Sequence, residues 1–317
     1  MNKRTKIRWR KLLRSRPVVW IARLSTALRW GVRILLALLV LDLFYLAITW
    51  PNWKSVAAGP ISKSAFMRHY EQEPDANGRP RHVRWQPVPL SSISKSMQRA
   101  VVLAEDSRFW EHSGFDLAAF KEALDRNIDQ RRFAFGASTI SQQTVKNLYL
   151  SRSKTPLRKW HELVLTWGME HHVKKQRILE LYLNVVEFGP GIYGVQAAAQ
   201  AYWGINASQL DPRQAAELAA ALPSPARNNP ARRSAYFQQR SARILRLLVR
   251  FPGDAAEAVN AYQGVPPSVP DNEMPTEPSP DCDNGDCPQG DNTSLLPSPL
   301  EPSSPATHNA ASDVSDD

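Results

Sequence analysis

The chain has 317 residues, 43% hydrophobic and 22% charged, which is enough for more than one domain and for a sizeable core. Two cysteines exclude a disulfide-dense scaffold and any multi-cysteine metal or iron–sulfur framework. Forty Lys and Arg against 30 Asp and Glu leave a net charge of +10, which admits nucleic acid, anionic lipid or phosphate-bearing substrates without choosing between them.

The charge is unevenly placed. Residues 1–33 hold 11 Lys/Arg and no acidic residue, whereas 265–317 hold 11 Asp/Glu and no Lys or Arg. The first stretch, 1–30, reads as a basic cytoplasmic N-terminus. It leads into Gly31–Trp50, GVRILLALLVLDLFYLAITW, whose 20 residues at about 1.5 Å each span a bilayer core. Asp42 opposes insertion by about 2.5–3.5 kcal/mol. Twelve Leu, Ile, Val or Phe residues contribute about −0.3 to −0.6 kcal/mol each and outweigh it. Arg33 can snorkel to the cytoplasmic side, and Trp50 and Trp53 suit the far interface. The upstream basic residues place the N-terminus in the cytoplasm and everything after residue 50 outside it. A cleaved signal peptide ending near Ser55-Val56-Ala57 is the competing reading, but its basic region would be too long.

Residues 51–84 read as a polar linker with little periodicity. From Trp85 to about residue 255 the pattern is helical. Ile93, Met97, Ala100, Val101 and Ala104 share a face, as do Ile178, Leu181, Tyr182, Val185 and Val186. Ala215–Leu222 is a strong helix former stopped by Pro223. Tyr236, Gln239, Arg240, Ile244, Leu247, Leu248 and Phe251 mark a last helix with an Arg-rich outer side. Strand alternation is scarce, so the fold class is mainly α. Residues 265–317 carry 11 of the 25 prolines and read as a disordered acidic tail, with Cys282 and Cys287 inside it.

Four clusters could carry chemistry. In Glu105-Asp106-Ser107-Arg108-Phe109-Trp110-Glu111-His112-Ser113-Gly114-Phe115-Asp116, Glu105 closes an apolar helix. A carboxylate at the negative end of a helix dipole has a raised pKa and takes up protons more readily, as a general base must. Taken alone, such a pair is usually a solvated helix end. In the second cluster, GASTISQQTVKNL, Ser138, Gln142 and Lys146 follow at i, i+4 and i+8. On a helix that stripe would offer a hydroxyl, an amide and an ammonium to a sugar phosphate, or else form a solvated face. The third, KTPLRKWHE, starts a helix at Pro156; Arg158 and Glu162 are spaced for a routine salt bridge or for a basic lip on a diphosphate. The fourth, YLNVVEFGPGIYG, reads as a tight turn.

In this order and spacing the clusters resemble the glycosyltransferase domain of the peptidoglycan synthases, which polymerise lipid II. The resemblance runs from about Trp85 to Pro230 through EDSRFWEHSGFD, GASTISQQTVKNLYL, RKWHE, KKQRILELYLNVVEFGPGIYGVQAAAQAYWG and AAELAAALPSPARNNP. The single anchor and short length look like the monofunctional form, the biosynthetic peptidoglycan transglycosylases. Ala137 and Ser141 stand where the family has Gly and Thr.

The resemblance implies a lysozyme-like domain over 85–255 with a small membrane-associated jaw between the first two motifs, where Phe115, Leu117, Phe120, Phe133 and Phe135 supply apolar surface. It implies an inverting transfer to β-1,4 glycan with release of undecaprenyl diphosphate, Glu105 as general base and Glu162 as second catalytic glutamate. Lys146, Lys154 and Arg158 would meet phosphates, Ser138, Gln142, Gln143 and Asn147 would line the donor site, and Lys175 would serve substrate binding in a supporting role. Asp106, Phe109, His112 and Gly114 would support the first motif. No cofactor is required. Mg²⁺ or Mn²⁺ would suit the diphosphate, but no acidic cluster reads as a metal cage. The partners implied are lipid II, the growing glycan, the membrane and other cell-wall synthesis proteins, with no nucleic acid. Ser92–Lys95 and Ser151–Lys154 both read S-x-x-K, but no K-T-G or S-D-N follows, so a transpeptidase is excluded. A lytic glycan-cleaving enzyme and a non-catalytic scaffold are the rival readings; the basic positions around Glu162 oppose the first and the intact glutamates the second.

Overall fold

The computed structural model describes residues 16–129 and 138–250. The jaw residues Phe133 and Phe135, the acidic tail and both cysteines lie outside them. Within them the fold is mainly α, as expected. A long helix, α1 (Arg16–Ile48), is followed by α2 (Trp53–Ala58), α3 (Ala65–Gln72), β1 (Arg84–Trp85), α4 (Lys95–Glu105), α5 (Leu117–Asp129), α6 (Ile140–Tyr149), α7 (Pro156–His172) and α8 (Lys175–Val185). A hairpin, β2 (Glu187–Gly189) and β3 (Ile192–Tyr193), leads to α9 (Val195–Trp203), α10 (Pro212–Ala221) and α11 (Ala235–Arg250).

The last 21 residues of α1, Leu28–Ile48, are long and apolar enough to cross a membrane, and most of their side chains are exposed. That is compatible with a single-pass anchor, shifted a few residues toward the N-terminus from the expected span. Trp53 departs from expectation. It is buried in the core, edge-on to Trp50 and stacked on His172, because Gly168 on α7 leaves room for both indoles against the helix backbone.

Residues 51–84 are also more ordered than their weak periodicity suggests. Asn52 and Ser64 cap α2 and α3. Met67 on α3 is fully buried with Leu148, Val185 and Tyr193. β1 pairs parallel to β3, and β2 pairs antiparallel to β3, in the order β1-β3-β2. Short helices with few apolar positions carry little periodic signal, so the sequence pattern understates them.

Two groups of helices meet around the main core. The Ala-rich α10 is almost wholly buried between α4 and α11, where small side chains allow close packing. On the other side α6 packs between α7 and α8. Asn184 on α8 ties in the chain ahead of α4: its side chain accepts from Val88 N at 2.8 Å and donates to Val88 O at 2.9 Å. The candidate site lies where α4 of the first group meets α6 and α7 of the second.

If 51–84 is part of the domain, Met67→Ala should destabilise it by about 2–5 kcal/mol. Denaturant unfolding would read this; a change below about 0.5 kcal/mol would make the segment a mere linker.

Candidate active site

Glu105 is the last residue of α4, and its side chain is 11% exposed. Gln143 of α6 donates to Oε2 at 2.9 Å, and Arg240 of α11 donates to Oε1 at 2.9 Å. The Gln143 carbonyl in turn accepts from the Tyr182 hydroxyl at 3.1 Å, which fixes which way the amide faces. Burial raises the Glu105 pKa, while Arg240, Gln143 and Lys146 pull it down. The direction matches the sequence reading, but the leading cause is desolvation rather than the helix dipole.

Asp106 sets this geometry. It is buried; Oδ1 lies 2.8 Å from His112 Nε2, and Oδ2 accepts from Ile140 N, the first residue of α6, at 2.9 Å. Gly114 N donates to His112 Nδ1 at 3.1 Å, so Nε2 is the nitrogen that carries the proton toward Asp106. The Thr139 hydroxyl donates to Gly114 O at 2.7 Å. Gly114 has φ +92°, and a Cβ there would come within 2.9 Å of both Glu170 and Thr166 on α7. Glycine is therefore required on two counts. Phe109 is fully buried beneath this turn.

The second glutamate, Glu162, lies on α7 with its side chain 3% exposed. Arg158 bonds one carboxylate oxygen and Lys159 the other. The routine helix pair expected for Arg158 is therefore present, with Lys159 as a further partner. Lys146 of α6 lies within electrostatic reach of both glutamates. Burial lowers its pKa, while Glu162 and Glu105 both raise it. Two carboxylates 57 residues apart in sequence thus share the field of one ammonium. Arg158 Nε and Arg240 Nε are buried without a hydrogen-bond partner. Such donors at a site are unusual unless a ligand meets them.

Several residues differ from expectation. Thr139 is the N-cap of α6, so Ser138 precedes the helix and the Ser138–Gln142–Lys146 stripe does not form. Gln142 closes a capping box, its carbonyl accepting from Thr139 N. Asn147 donates back to Gln143 O at 2.8 Å. Lys175, expected in a supporting role, lies 2.8 Å from Glu170 Oε1 and 4.5 Å above the ring of Phe109 in the first motif. Ser138 is exposed with its hydroxyl 3.5 Å from Lys159 Nζ, and Lys154 is exposed in the loop before α7. The fourth cluster is the β2–β3 hairpin; Gly189 allows the Tyr202 hydroxyl to approach the backbone, where a Cβ would lie 2.2 Å from it.

Sequence reasoning missed three residues, of which Lys159 lies inside the third cluster beside Arg158 and bonds Glu162. Arg240 lies on the same stripe of α11 as the buried Phe237, Ile244 and Leu248, and a charge on an apolar face was its signal. Glu170, bonded to Ser141 and Lys175, gave none.

Among the described residues, Asp106, His112 and Asp116 are close enough to suggest a metal site. Asp106 already holds His112 and Ile140, and Arg108 pairs with Asp116 at 2.7 Å. Both Glu162 oxygens are likewise bound to cationic side chains. The donor set does not fit a resident metal ion.

The sequence profile of the family described as Transglycosylase matches residues 74–249, more than half of the chain. The chain belongs to that family. Its relatives include biosynthetic peptidoglycan transglycosylases from Janthinobacterium sp. (strain Marseille) and Herminiimonas arsenicoxydans, each 42% identical over 218 residues, 68% of this chain and 91% of theirs. Another, from Nitrosospira multiformis, is 42% identical over 186 residues, 58% of this chain and 80% of its own. The profile begins upstream of Trp85, which agrees with the packing of β1 into the domain.

In a transglycosylase the ionised form of a catalytic base is the active one. Arg240 leads the influences that lower the Glu105 pKa, so Arg240→Gln should push it higher. The acidic limb of kcat/KM should then move to higher pH by about 1–3 units. A pH–rate profile with an unmoved limb would show that Arg240 does not tune the base.

Proposed function

We propose that the chain is a peptidoglycan glycosyltransferase that polymerises lipid II into β-1,4 glycan strands. The observation that carries this reading is the division of the site. One half holds a carboxylate of raised pKa; the other gathers Lys146, Arg158 and Lys159 around Glu162.

The acceptor's 4-hydroxyl attacks the anomeric carbon of the donor while Glu105 takes its proton. Arg240 and Gln143 each hold one carboxylate oxygen and so fix the group's orientation. The bond to the diphosphate breaks as the new bond forms on the opposite face, so the α-linked donor becomes a β-linked product. Negative charge grows on the leaving oxygen, and preorganised cations beside it lower the barrier. Lys146, Arg158 and Lys159 supply them. Glu162 orients Arg158 and Lys159 and keeps their charges close together. Lys154 and Ser138, both exposed beside this cluster, extend it toward the donor. The reaction uses no resident cofactor; Mg²⁺ or Mn²⁺ would enter with the diphosphate.

On this reading α1 anchors the enzyme in the bacterial cytoplasmic membrane, N-terminus inside, with the catalytic domain on the far side. The 11 basic residues ahead of residue 34 support that orientation. The exposed Leu117 and Phe120 of α5, 77% and 57% accessible, suit a jaw that touches lipid. A polyprenyl substrate stays in the bilayer because each CH₂ removed from it costs about 0.8 kcal/mol, so an anchored enzyme meets it in the same plane.

Detergent-solubilised protein given labelled lipid II should make lysozyme-sensitive polymer. Glu105→Gln should lose at least about 10²-fold in rate. Cleavage of finished glycan without polymerisation would instead support a lytic enzyme.

A further inference from the structure

Asp42 lies on α1, six residues before its end at Ile48, or roughly 9 Å along the helix axis. It is the sole acidic residue of the apolar span Leu28–Ile48. An ionisable group at such a position requires a partner. Asp42 has two, both from α7: Trp160 Nε1 donates to Oδ2 at 3.0 Å, and His161 Nε2 lies 2.6 Å from Oδ1. Tyr45 stacks on the same imidazole with centroids 5.6 Å apart, and Leu46 is only 4% exposed. Asp42, Tyr45 and Leu46 fall at i, i+3 and i+4, so one short stripe of α1 meets the domain, with the carboxylate as its directional element.

The partners occupy a telling place. Trp160 and His161 stand between Lys159 and Glu162 in the sequence of α7. Successive helix residues point about 100° apart, so α7 turns Trp160 and His161 to the anchor while Arg158, Lys159 and Glu162 turn to the site. Leu157, Trp160 and Trp167 leave α7 with an exposed apolar side, which suits a helix seated at the lipid interface.

We propose that Asp42 is a positioning residue. By gripping Trp160 and His161 it sets the depth and rotation of α7 against the membrane helix, and hence the height at which Arg158, Lys159 and Glu162 meet a lipid-linked diphosphate. The proposal rests on the reading that α1 spans the bilayer and that this cluster receives the diphosphate. An apolar residue at 42 would insert more readily but would fix neither depth nor rotation.

The test uses full-length protein in nanodiscs at varied lipid II surface density. Asp42→Leu, which loses both Trp160 and His161 as partners, should raise KM at least roughly tenfold with kcat within about twofold. Asp42→Asn keeps an oxygen to accept from Trp160 and should recover most of the loss. His161→Phe keeps the ring stack but removes Nε2; it should reproduce the Asp42→Leu effect, and it carries the comparison if Asp42→Leu fails to fold. A photo-crosslinking residue in place of Tyr45 should join α1 to α7, and Asp42→Leu should weaken that product. Unchanged KM in Asp42→Leu and His161→Phe would overturn the proposal, whether or not the crosslink persists. Equal falls in kcat without a change in KM would also overturn it. If wild type made no polymer while the crosslink formed, the functional reading would fall, and the positioning role with it, although the contact itself stood.

Discussion

The two carboxylate oxygens of Asp106 point to different parts of the chain, one to His112 and the other to the first backbone N–H of α6. That second bond satisfies one of the orphan donors of a helix N-terminus and places negative charge where the helix dipole favours it. It also clamps the end of α4 to the start of α6. Glu105 is the neighbour of Asp106 on α4, and Gln143 lies one turn into α6, so the clamp delivers the amide to the glutamate. Gly114 completes the junction by letting the first motif pass against α7 without a side chain in between.

From this junction the site acquires its asymmetry. Glu105 is held by one guanidinium and one neutral amide, in a setting dry enough to disfavour its charge. Glu162 is held by a guanidinium and an ammonium a single helical turn away. In the proposed mechanism the same side-chain chemistry thus serves a proton at one end and the leaving diphosphate at the other. Lys146 of α6 feels the charge of both carboxylates as well as that of Arg158 and Lys159.

What the sequence disclosed and what it withheld divide along physical lines. Glu105, Asp106, Arg158 and Glu162 stood out only through the resemblance of their motifs to the peptidoglycan synthases, since taken alone they read as a solvated helix end and a routine helix pair. The Ser138–Gln142–Lys146 stripe failed because Thr139 is a good N-cap and starts α6 at Ile140, two residues after Ser138. Arg240 was placed on the last helix but stands 135 residues from Glu105, so the pattern of its own helix gave no sign of that partner. Asp42 looked like a cost to insertion because its partners, Trp160 and His161, are 118 and 119 residues away. Trp53 has the composition of an interface anchor but a core environment, which only the space above Gly168 explains.

Between the end of α1 at Ile48 and the buried Trp53 there are four residues, Thr49, Trp50, Pro51 and Asn52. Fully extended, such a stretch reaches at most about 14 Å. With α1 in the bilayer, the catalytic domain can neither follow a lengthening product outward nor swing far from the headgroups. The fixed partner is therefore the enzyme, and the moving one is the polymer. Each added disaccharide must push the strand already made away from the site, so the direction in which new wall material emerges is set by how this short leash orients the domain.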